Sequence, residues 1–234
     1  MIRHLKKIVP IKVFFVLLLL GVWGRTSIVA QNTTNILPVL PSHGEGNDQP
    51  AFVSTFVTQT IDLVAGWNYV SFNLEITMAD LQAALQAAYP DAAANALTIK
   101  SKGDGQTAYN PFAHRWIGSL TTLDLSQMYK VKVPTAGEIE VQGSPIDPAA
   151  HPATIKYGAN WIAFPLDTNM TVTEAFAGFP TNGDIIKIKD GGQAQWNQMA
   201  NRWIGTLTTL VPGKGYIYNS KASADKPFTF PSAK

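Results

Sequence analysis

Two groups of residues in this sequence combine aromatic rings with a neighbouring amide and guanidinium. The first group is Tyr109, Asn110, Arg115 and Trp116, and the second is Trp196, Asn197, Arg202 and Trp203. An aromatic ring can stack on the C–H face of a pyranose, while amide and guanidinium groups hydrogen-bond to the sugar hydroxyls. These residue types therefore suit a sugar-binding platform, provided that the fold brings them together.

The same aromatic residues also suit the interior of the protein. Large rings that recur at identical positions of a repeat are usually core residues. Gly118 lies two positions after Trp116, which favours close packing over the ring. We favour the core interpretation and keep the platform as the alternative. The residue equivalent to Trp67 in the second copy is Ala159. We therefore expect the exposure of this position to differ between the copies, and we include Trp67 among the ligand-binding candidates.

Catalytic and metal-binding patterns are weak in this sequence. The four histidines are scattered at positions 4, 43, 114 and 151 without ligand spacing, and there is no cysteine. Glycoside hydrolysis needs two carboxylates about 5–10 Å apart, but no acidic residue is shared by the matched stretches 99–129 and 186–216. We therefore predict no catalytic residue, no metal and no cofactor. An enzyme with a site in one module remains an alternative.

A duplication organises the chain and must position these residues. The nine residues 115–123 (RWIGSLTTL) recur at 202–210 (RWIGTLTTL) with one conservative change. The match runs without a gap from Ile99 and Ile186 to Tyr129 and Tyr216, at a constant offset of 87 residues. The sequence therefore contains two copies of one structural unit.

Each copy has strand patterns and one helix pattern. Thr77-x-x-Asp80 and Thr171-x-x-Glu174 are capping boxes, and we expect the second helix to be about a turn shorter. The alternation from Ala51 to Leu63 predicts a strand, and the segments after each helix predict hairpins. The fold class is therefore mainly β (α+β): two tandem homologous modules, each a small antiparallel β-sheet or barrel-like unit with one short helix.

Lysines alternate with apolar residues in the strand that follows each helix. They are Lys100, Lys102, Lys187 and Lys189. Strand alternation directs them outward, where they either meet an acidic polymer or form a solvated sheet face, and we favour the solvated face.

The N-terminal residues predict export from the cytoplasm. Residues 1–30 combine basic residues, the apolar run Val13–Trp23 and a small residue before Gln31, as in a secretory signal peptide. The run is shorter than the ~20 apolar residues of a membrane span, so we expect no span in the mature chain, with an uncleaved anchor as the alternative. We assign 31–50 as a flexible linker, 51–148 as repeat module 1 and 149–234 as repeat module 2.

Loss of the signal peptide would reverse the net charge. Residues 1–30 hold five of the 18 basic residues and no acid, leaving 13 basic residues against 16 acidic ones. A mildly acidic mature chain lacks the basic footprint of a nucleic-acid-binding protein. We therefore expect no nucleic-acid partner.

From about Ile61 to the end, the order of motifs resembles a known group of repeats. Gly-Trp-Asn-aromatic, a helix, Ile-Lys-x-Lys, Trp-Ile-Gly and Pro-Gly-Lys-Gly-Tyr follow one another. This order is similar to the paired Trp/Gly-rich repeats of secreted and cell-surface proteins from Bacteroidetes-type bacteria. The resemblance implies an extracellular, non-catalytic module.

Together these features predict a secreted or cell-surface protein that acts in adhesion or binding. Its expected partners are a polysaccharide or other cell-surface components. The alternative is a structural subunit of an extracellular matrix or filament that self-associates through residues 51–63, adding a strand to a neighbour's open sheet edge.

Overall fold

The computed structural model of the protein describes residues 56–90 and 97–232. The predicted signal peptide, the predicted linker and residues 51–55 of the first predicted strand lie outside this range. The described chain is mainly β, with 43% strand and 9% helix, and its sheets are antiparallel. The predicted fold class is confirmed.

The described residues of module 1 form eight strands and one helix. They are β1 (Val57–Leu63), β2 (Gly66–Val70), β3 (Leu74–Glu75), α1 (Met78–Ala88), β4 (Thr98–Lys100), β5 (Gln106–Asn110), β6 (Arg115–Gly118), β7 (Tyr129–Val133) and β8 (Gly137–Pro145). Five strands form a sheet in the order β2-β7-β4-β5-β6, and three form a second sheet in the order β1-β8-β3.

Module 2 repeats the five-stranded sheet with strands of the same lengths, but its helix and its flanking strand pair are shorter. Its elements are β9 (Ala153–Ile155), β10 (Gly158–Ile162), β11 (Met170–Thr171), α2 (Val172–Ala175), β12 (Ile185–Lys187), β13 (Gln193–Asn197), β14 (Arg202–Gly205), β15 (Thr209–Leu210), β16 (Tyr216–Ser220) and β17 (Lys226–Phe228). The five-stranded order β10-β16-β12-β13-β14 reproduces that of module 1, and the pair β9-β17 corresponds to β1-β8.

Both helices begin at the predicted capping boxes, but they differ in length more than predicted. Thr77 accepts a hydrogen bond from the backbone N–H of Asp80, and Thr171 accepts one from Glu174. Helix α1 has 11 residues, whereas α2 has four. Gly178, with φ +71°, takes the chain out of the helical conformation soon after α2.

Each module has its own hydrophobic core. The core of module 1 runs from Ile61 to Ile146 and includes Leu81 and Leu85 from α1. The core of module 2 runs from Ile155 to Phe230. Aromatic rings fill the space beside the short helix α2: Phe176 stacks on Phe228 at 4.8 Å between centroids. The core of module 2 is thus filled by aromatic side chains where the core of module 1 is filled by residues of α1.

Residues 143–148 contain a glycine and two prolines, but only the last of them belong to the link between the modules. Strand β8 continues through Gly143 to Pro145, and Leu74 of β3 pairs with Pro145. The link between the modules therefore starts after β8. His151 in this link lies 2.6 Å from a carboxylate oxygen of Glu75.

The two modules contact each other through equivalent residues. The backbone N–H of Ser71 donates to the carbonyl of Gly213 at 3.2 Å, and that of Ala163 donates to Ser126 at 3.1 Å. Ser71 corresponds to Ala163 in the repeat, and Ser126 corresponds to Gly213. Such reciprocal contacts are the mark of a two-fold interface. The modules therefore pack as a pseudo-two-fold pair within one chain.

Met128 and Gly215 occupy the same position of the two copies and touch each other. Met128 is fully buried but belongs to neither core cluster. A Cβ placed on Gly215 would lie 2.4 Å from the Cβ of Met128. Equivalent residues can meet only near the pseudo-two-fold axis. The Met128 side chain therefore occupies the space that a side chain at Gly215 would need.

A lysine sandwiched between two equivalent rings also crosses the interface. The Nζ of Lys130 lies 4.9 Å from the ring centroid of Tyr69 and 4.6 Å from that of Trp161. Cation–π attraction holds the ammonium against both rings. The side chain of Lys102 also donates to the carbonyl of Ala159 in module 2.

Tyr129 is the first residue of β7 and Tyr216 is the first residue of β16, and the pKa of both hydroxyls is raised. Burial raises the pKa of both Tyr129 and Tyr216 to about 12. The hydroxyl of Tyr129 accepts the N–H of Asp124, and that of Tyr216 accepts the N–H of Val211. The two rings therefore anchor the same turn in both modules.

We expect these two tyrosines to ionise near pH 12, later than the ordinary tyrosine value of about 10. The unfolded chain loses the same protons near pH 10, so the free energy of unfolding falls as the pH rises above about 10. A tyrosinate absorbance titration measures this, and Tyr216→Phe should remove one late-titrating group. Titration of every tyrosine in one step near pH 10 would contradict the prediction.

Candidate functional site

The aromatic pair of module 1 packs on the core side of its sheet. Tyr109 and Trp116 are cross-strand partners in β5 and β6, with ring centroids 5.8 Å apart in an edge-to-face arrangement. Both rings lie against the module 1 core. The Nε1–H of Trp116 donates to Oε1 of Gln86 on α1 at 3.2 Å. Trp116 therefore joins the sheet to the helix.

The corresponding pair of module 2 is arranged in the same way. Trp196 and Trp203 are 5.7 Å apart, and Trp203 packs against Phe176 at 5.8 Å. Helix α2 is too short to provide a counterpart of Gln86. The buried Nε1 of Trp203 consequently has no hydrogen-bond partner among the described residues.

The amides predicted for the sugar platform serve the hairpin tips instead. Oδ1 of Asn110 accepts the backbone N–H of Phe112 and of Ala113, and Oδ1 of Asn197 accepts that of Ala200. These contacts build the tight turns between β5 and β6 and between β13 and β14.

The arginines and the tryptophans lie on opposite faces of the sheets. Arg115 directly precedes Trp116, and Arg202 directly precedes Trp203, and successive side chains of a strand alternate in direction. The structure therefore does not bring the aromatic, amide and guanidinium groups of either set into one platform. It brings together only the two rings of each pair.

Gly118 approaches backbone, not the tryptophan ring as its position suggested. A Cβ on Gly118 would lie 2.0 Å from the carbonyl oxygen of Gln106, and Gly205 has the same relation to Gln193. That carbonyl of Gln106 accepts the N–H of both Ser119 and Leu120. The glycine is needed because the end of β6 bends close to β5.

A row of side chains crosses the solvent-facing side of the module 1 sheet. Its members are paired in register from β2 to β6: Trp67, Lys132, Thr98, Ala108 and Ile117. Trp67 is 38% exposed and Ile117 is 47% exposed. We call this surface the module 1 outer face. It also carries Tyr69, Lys130, Lys100, Gln106 and Arg115, which follow the same alternation, and at Lys130 it meets Trp161 of module 2.

The module 1 outer face is basic. It holds Lys100, Lys130, Lys132 and Arg115, whereas none of the five strands that form it contains an acidic residue. The lysines of β7 were not among the sequence-based candidates. The alternating segment Tyr129–Val133 (YKVKV) was the signal that could have identified them.

The corresponding face of module 2 has a different chemistry. Its row, again in register, consists of Ala159, Asn219, Ile185, Gln195 and Ile204. Ala159 thus replaces Trp67, Asn219 replaces Lys132, and Ile217 replaces Lys130. Lys187 and Arg202 remain as the basic residues of its strands. The duplication conserves the fold of this face, and Trp161 takes the place of Tyr69, but Trp67 and the two lysines of β7 have no counterpart in module 2.

A groove of about 470 Å³ lies between the modules. It is bordered by Asp104, Asp124 and Trp161. Nε2 of Gln127 reaches Oδ2 of Asp104 at 3.3 Å and Oδ2 of Asp124 at 3.4 Å. Lys214 is the equivalent of Gln127, and its Nζ instead donates to the carbonyl of Asp62 in the other module. The groove is therefore a second asymmetric feature of the pair.

Within residues 56–90 and 97–232, no group of three or more histidine or carboxylate residues is arranged to hold a metal ion. In the same ranges, no helix has the length and apolar character needed to cross a membrane. Comparison with protein-family models, with curated proteins and with solved structures finds no match to this chain.

Proposed function

We propose that this is a secreted or surface-displayed binding protein without catalytic activity, and that its module 1 outer face binds a glycan. The observation that carries the proposal is the position of Trp67. It is an exposed tryptophan at the end of an open row of polar and apolar side chains. The predicted signal peptide and the resemblance to surface-protein repeats support the extracellular location.

The module 1 outer face is better suited to bind a sugar polymer than are the aromatic pairs of the two hairpins. An indole offers a flat apolar surface for a pyranose ring, and the neighbouring ammonium and hydroxyl groups of Lys132 and Thr98 can hydrogen-bond to its substituents. The row from Trp67 to Ile117 covers four strand spacings of about 4.8 Å, or about 19 Å. An extended polysaccharide can therefore contact several side chains at once.

The alternative function is a structural subunit that assembles by strand addition. Strands β6 and β14 are the last strands of their sheets, and Ile117 and Ile204 are exposed on them. An exposed edge strand is a template for pairing with another chain. Residues 57–63 of the predicted donor segment pair with β8 of their own chain, and Ile61 and Leu63 are buried. Assembly through this segment would require β1 to leave β8.

The comparison of Trp67→Ala with Trp116→Ala tests the proposal. We expect Trp67→Ala to weaken binding to a panel of neutral and acidic polysaccharides at least tenfold without changing thermal stability. Trp116→Ala should instead cost about 2–4 kcal/mol of unfolding free energy, because it removes core packing, and should retain binding while folded. Affinity electrophoresis and urea unfolding measure the two properties.

Three results would contradict this function. Unchanged binding by Trp67→Ala would remove the outer face as the site. Concentration-dependent polymers without polysaccharide binding would favour the structural subunit. Release of reducing sugars by the purified protein, abolished by a single carboxylate substitution, would show an enzyme.

A further inference from the structure

We infer that the module 1 outer face selects an acidic polysaccharide, a polymer whose sugar rings carry carboxylate groups, and that module 2 lacks this site. The inference rests on the proposed glycan-binding function and specifies its ligand class. It is carried by the combination of an exposed indole with a cluster of ammonium groups on one sheet face.

The lysines of this face are placed where they repel one another. Lys100 of β4 and Lys130 of β7 are directly paired in register. Like charges at such cross-strand positions destabilise a sheet. The two ion pairs found in the described chain, His151–Glu75 and Lys189–Asp190, involve other residues. A bound anion would relieve this repulsion, which gives the face a preference for negative charge.

Two aromatic rings at the module interface hold the ammonium group of one of these lysines in place. Lys130 is held between Tyr69 and Trp161. Its ammonium therefore loses little conformational freedom when an anion binds beside it. Lys132 lies one residue pair further along β7, next to Trp67. A sugar stacked on Trp67 would place its ring substituents within reach of Lys132, because neighbouring strands are about 4.8 Å apart.

A uronate polymer fits these features better than a nucleic acid. Proteins that bind single-stranded nucleic acids stack successive bases on several aromatic side chains. The row carries one exposed aromatic ring, Trp67, followed by Lys132 and Thr98.

Module 2 provides a natural comparison within the same chain. Its sheet has the same strand order and register, but Trp67 is replaced by Ala159, and Lys132 by Asn219. The like-charge pair is also absent, since Lys187 faces Ile217. The double variant Trp67→Ala/Lys132→Asn gives module 1 the residues of module 2 at these two positions. The reciprocal variant Ala159→Trp/Asn219→Lys transfers the two central groups to module 2.

The experiment compares polygalacturonate with its fully methyl-esterified form, which keeps the sugar but removes the charge. Alginate serves as a second uronate polymer. We expect the full chain to bind the free acids at least tenfold more tightly than the ester, with affinity falling as salt is added. The Trp67→Ala/Lys132→Asn variant should lose at least tenfold of this affinity. Adding Ala159→Trp/Asn219→Lys to that variant should restore part of it.

Each other outcome overturns a defined part of the inference. Equal binding of the acid and its ester, lost in Trp67→Ala alone, would refute the charge selection and leave glycan binding intact. If the protein bound neutral polysaccharides but neither uronate polymer, the charge selection would likewise be refuted and glycan binding would remain. No binding of any polysaccharide would overturn both proposals. Equally tight binding of single-stranded oligothymidylate would show a general polyanion surface. Circular dichroism and the unfolding midpoint confirm that the variants are folded.

Discussion

Replacement of Asp184 by leucine is expected to lower the free energy of unfolding by about 3–5 kcal/mol, because it removes a buried, fully paired carboxylate. Asp184 is completely buried. Its Oδ2 accepts the Tyr218 hydroxyl at 2.6 Å and the Thr181 N–H at 2.8 Å, and its Oδ1 accepts the Lys221 N–H at 2.6 Å. The substitution would leave all three donors without this acceptor inside the protein.

Module 1 guides the choice of a control for this prediction. The residues equivalent to Asp184 and Tyr218 are Leu97 and Val131, both buried. The fold therefore accommodates this site without a carboxylate, but the ring of Tyr218 also packs against Phe176 and Trp203 in module 2. The control is accordingly the double variant Asp184→Leu/Tyr218→Phe, which keeps the ring and removes only the hydroxyl. We expect it to be more stable than Asp184→Leu alone, since the unpaired hydroxyl is also removed. Urea unfolding measures each variant. A loss below about 1 kcal/mol in Asp184→Leu would contradict the proposed role, because that is the size of one ordinary hydrogen bond.

The second large effect is expected at the pseudo-two-fold axis, where Gly215→Met should destabilise the protein by about 3 kcal/mol, the upper end of the usual cost of overpacking. Overpacking a close contact costs typically 1–3 kcal/mol, and the space beside Gly215 is already filled by the Met128 side chain from its Cβ outward. Urea unfolding again gives the loss. The smaller change Gly215→Ala should already be unfavourable for the same reason.

The exchange variant Met128→Gly/Gly215→Met is the test of this explanation. It keeps one methionine and one glycine near the axis but reverses their order. We expect it to recover more than half of the stability lost in Gly215→Met, and Met128→Gly alone to be destabilised by the cavity it creates. If the exchange variant were no more stable than Gly215→Met, the two positions would not share one space.

Local patterns predicted the modules because they act within a few residues of each other. The capping boxes at Thr77 and Thr171 and the hairpins of 106–118 and 193–205 follow from hydrogen bonds and alternation over short distances. The length of α2 was predicted less well. Its end depends on the conformation of Gly178 and on aromatic residues as distant as Phe228, which replace the missing turns in the core.

The candidate site required information that local patterns do not contain. Trp67 and Lys132 are 65 positions apart in the chain and become neighbours only through the pairing of β2 with β7. The sugar platform that was kept as the alternative around Trp116 does not assemble, because strand alternation places Arg115 on the opposite face of the sheet. The difference between Trp67 and Ala159 was visible in the sequence, but its meaning depended on knowing which face of the sheet they occupy.

The burial of Asp184 could not be predicted from its local sequence. The segment Thr181–Asp184 (TNGD) has the composition of an exposed turn, and nothing near it signals a buried carboxylate. Its burial follows from Tyr218, which lies 34 residues further on. Only the corresponding apolar pair in module 1 shows that these two positions change together.

The link after β8 keeps the two modules at a high effective concentration. A short covalent connection gives an effective concentration in the millimolar range, so a modest interface stays closed without the entropy loss of joining two separate molecules. Proteolytic cleavage between Asp147 and Pro152 would turn the same contacts into a bimolecular equilibrium. The two fragments should then separate on dilution, and the lysine between Tyr69 and Trp161 would lose one of its rings.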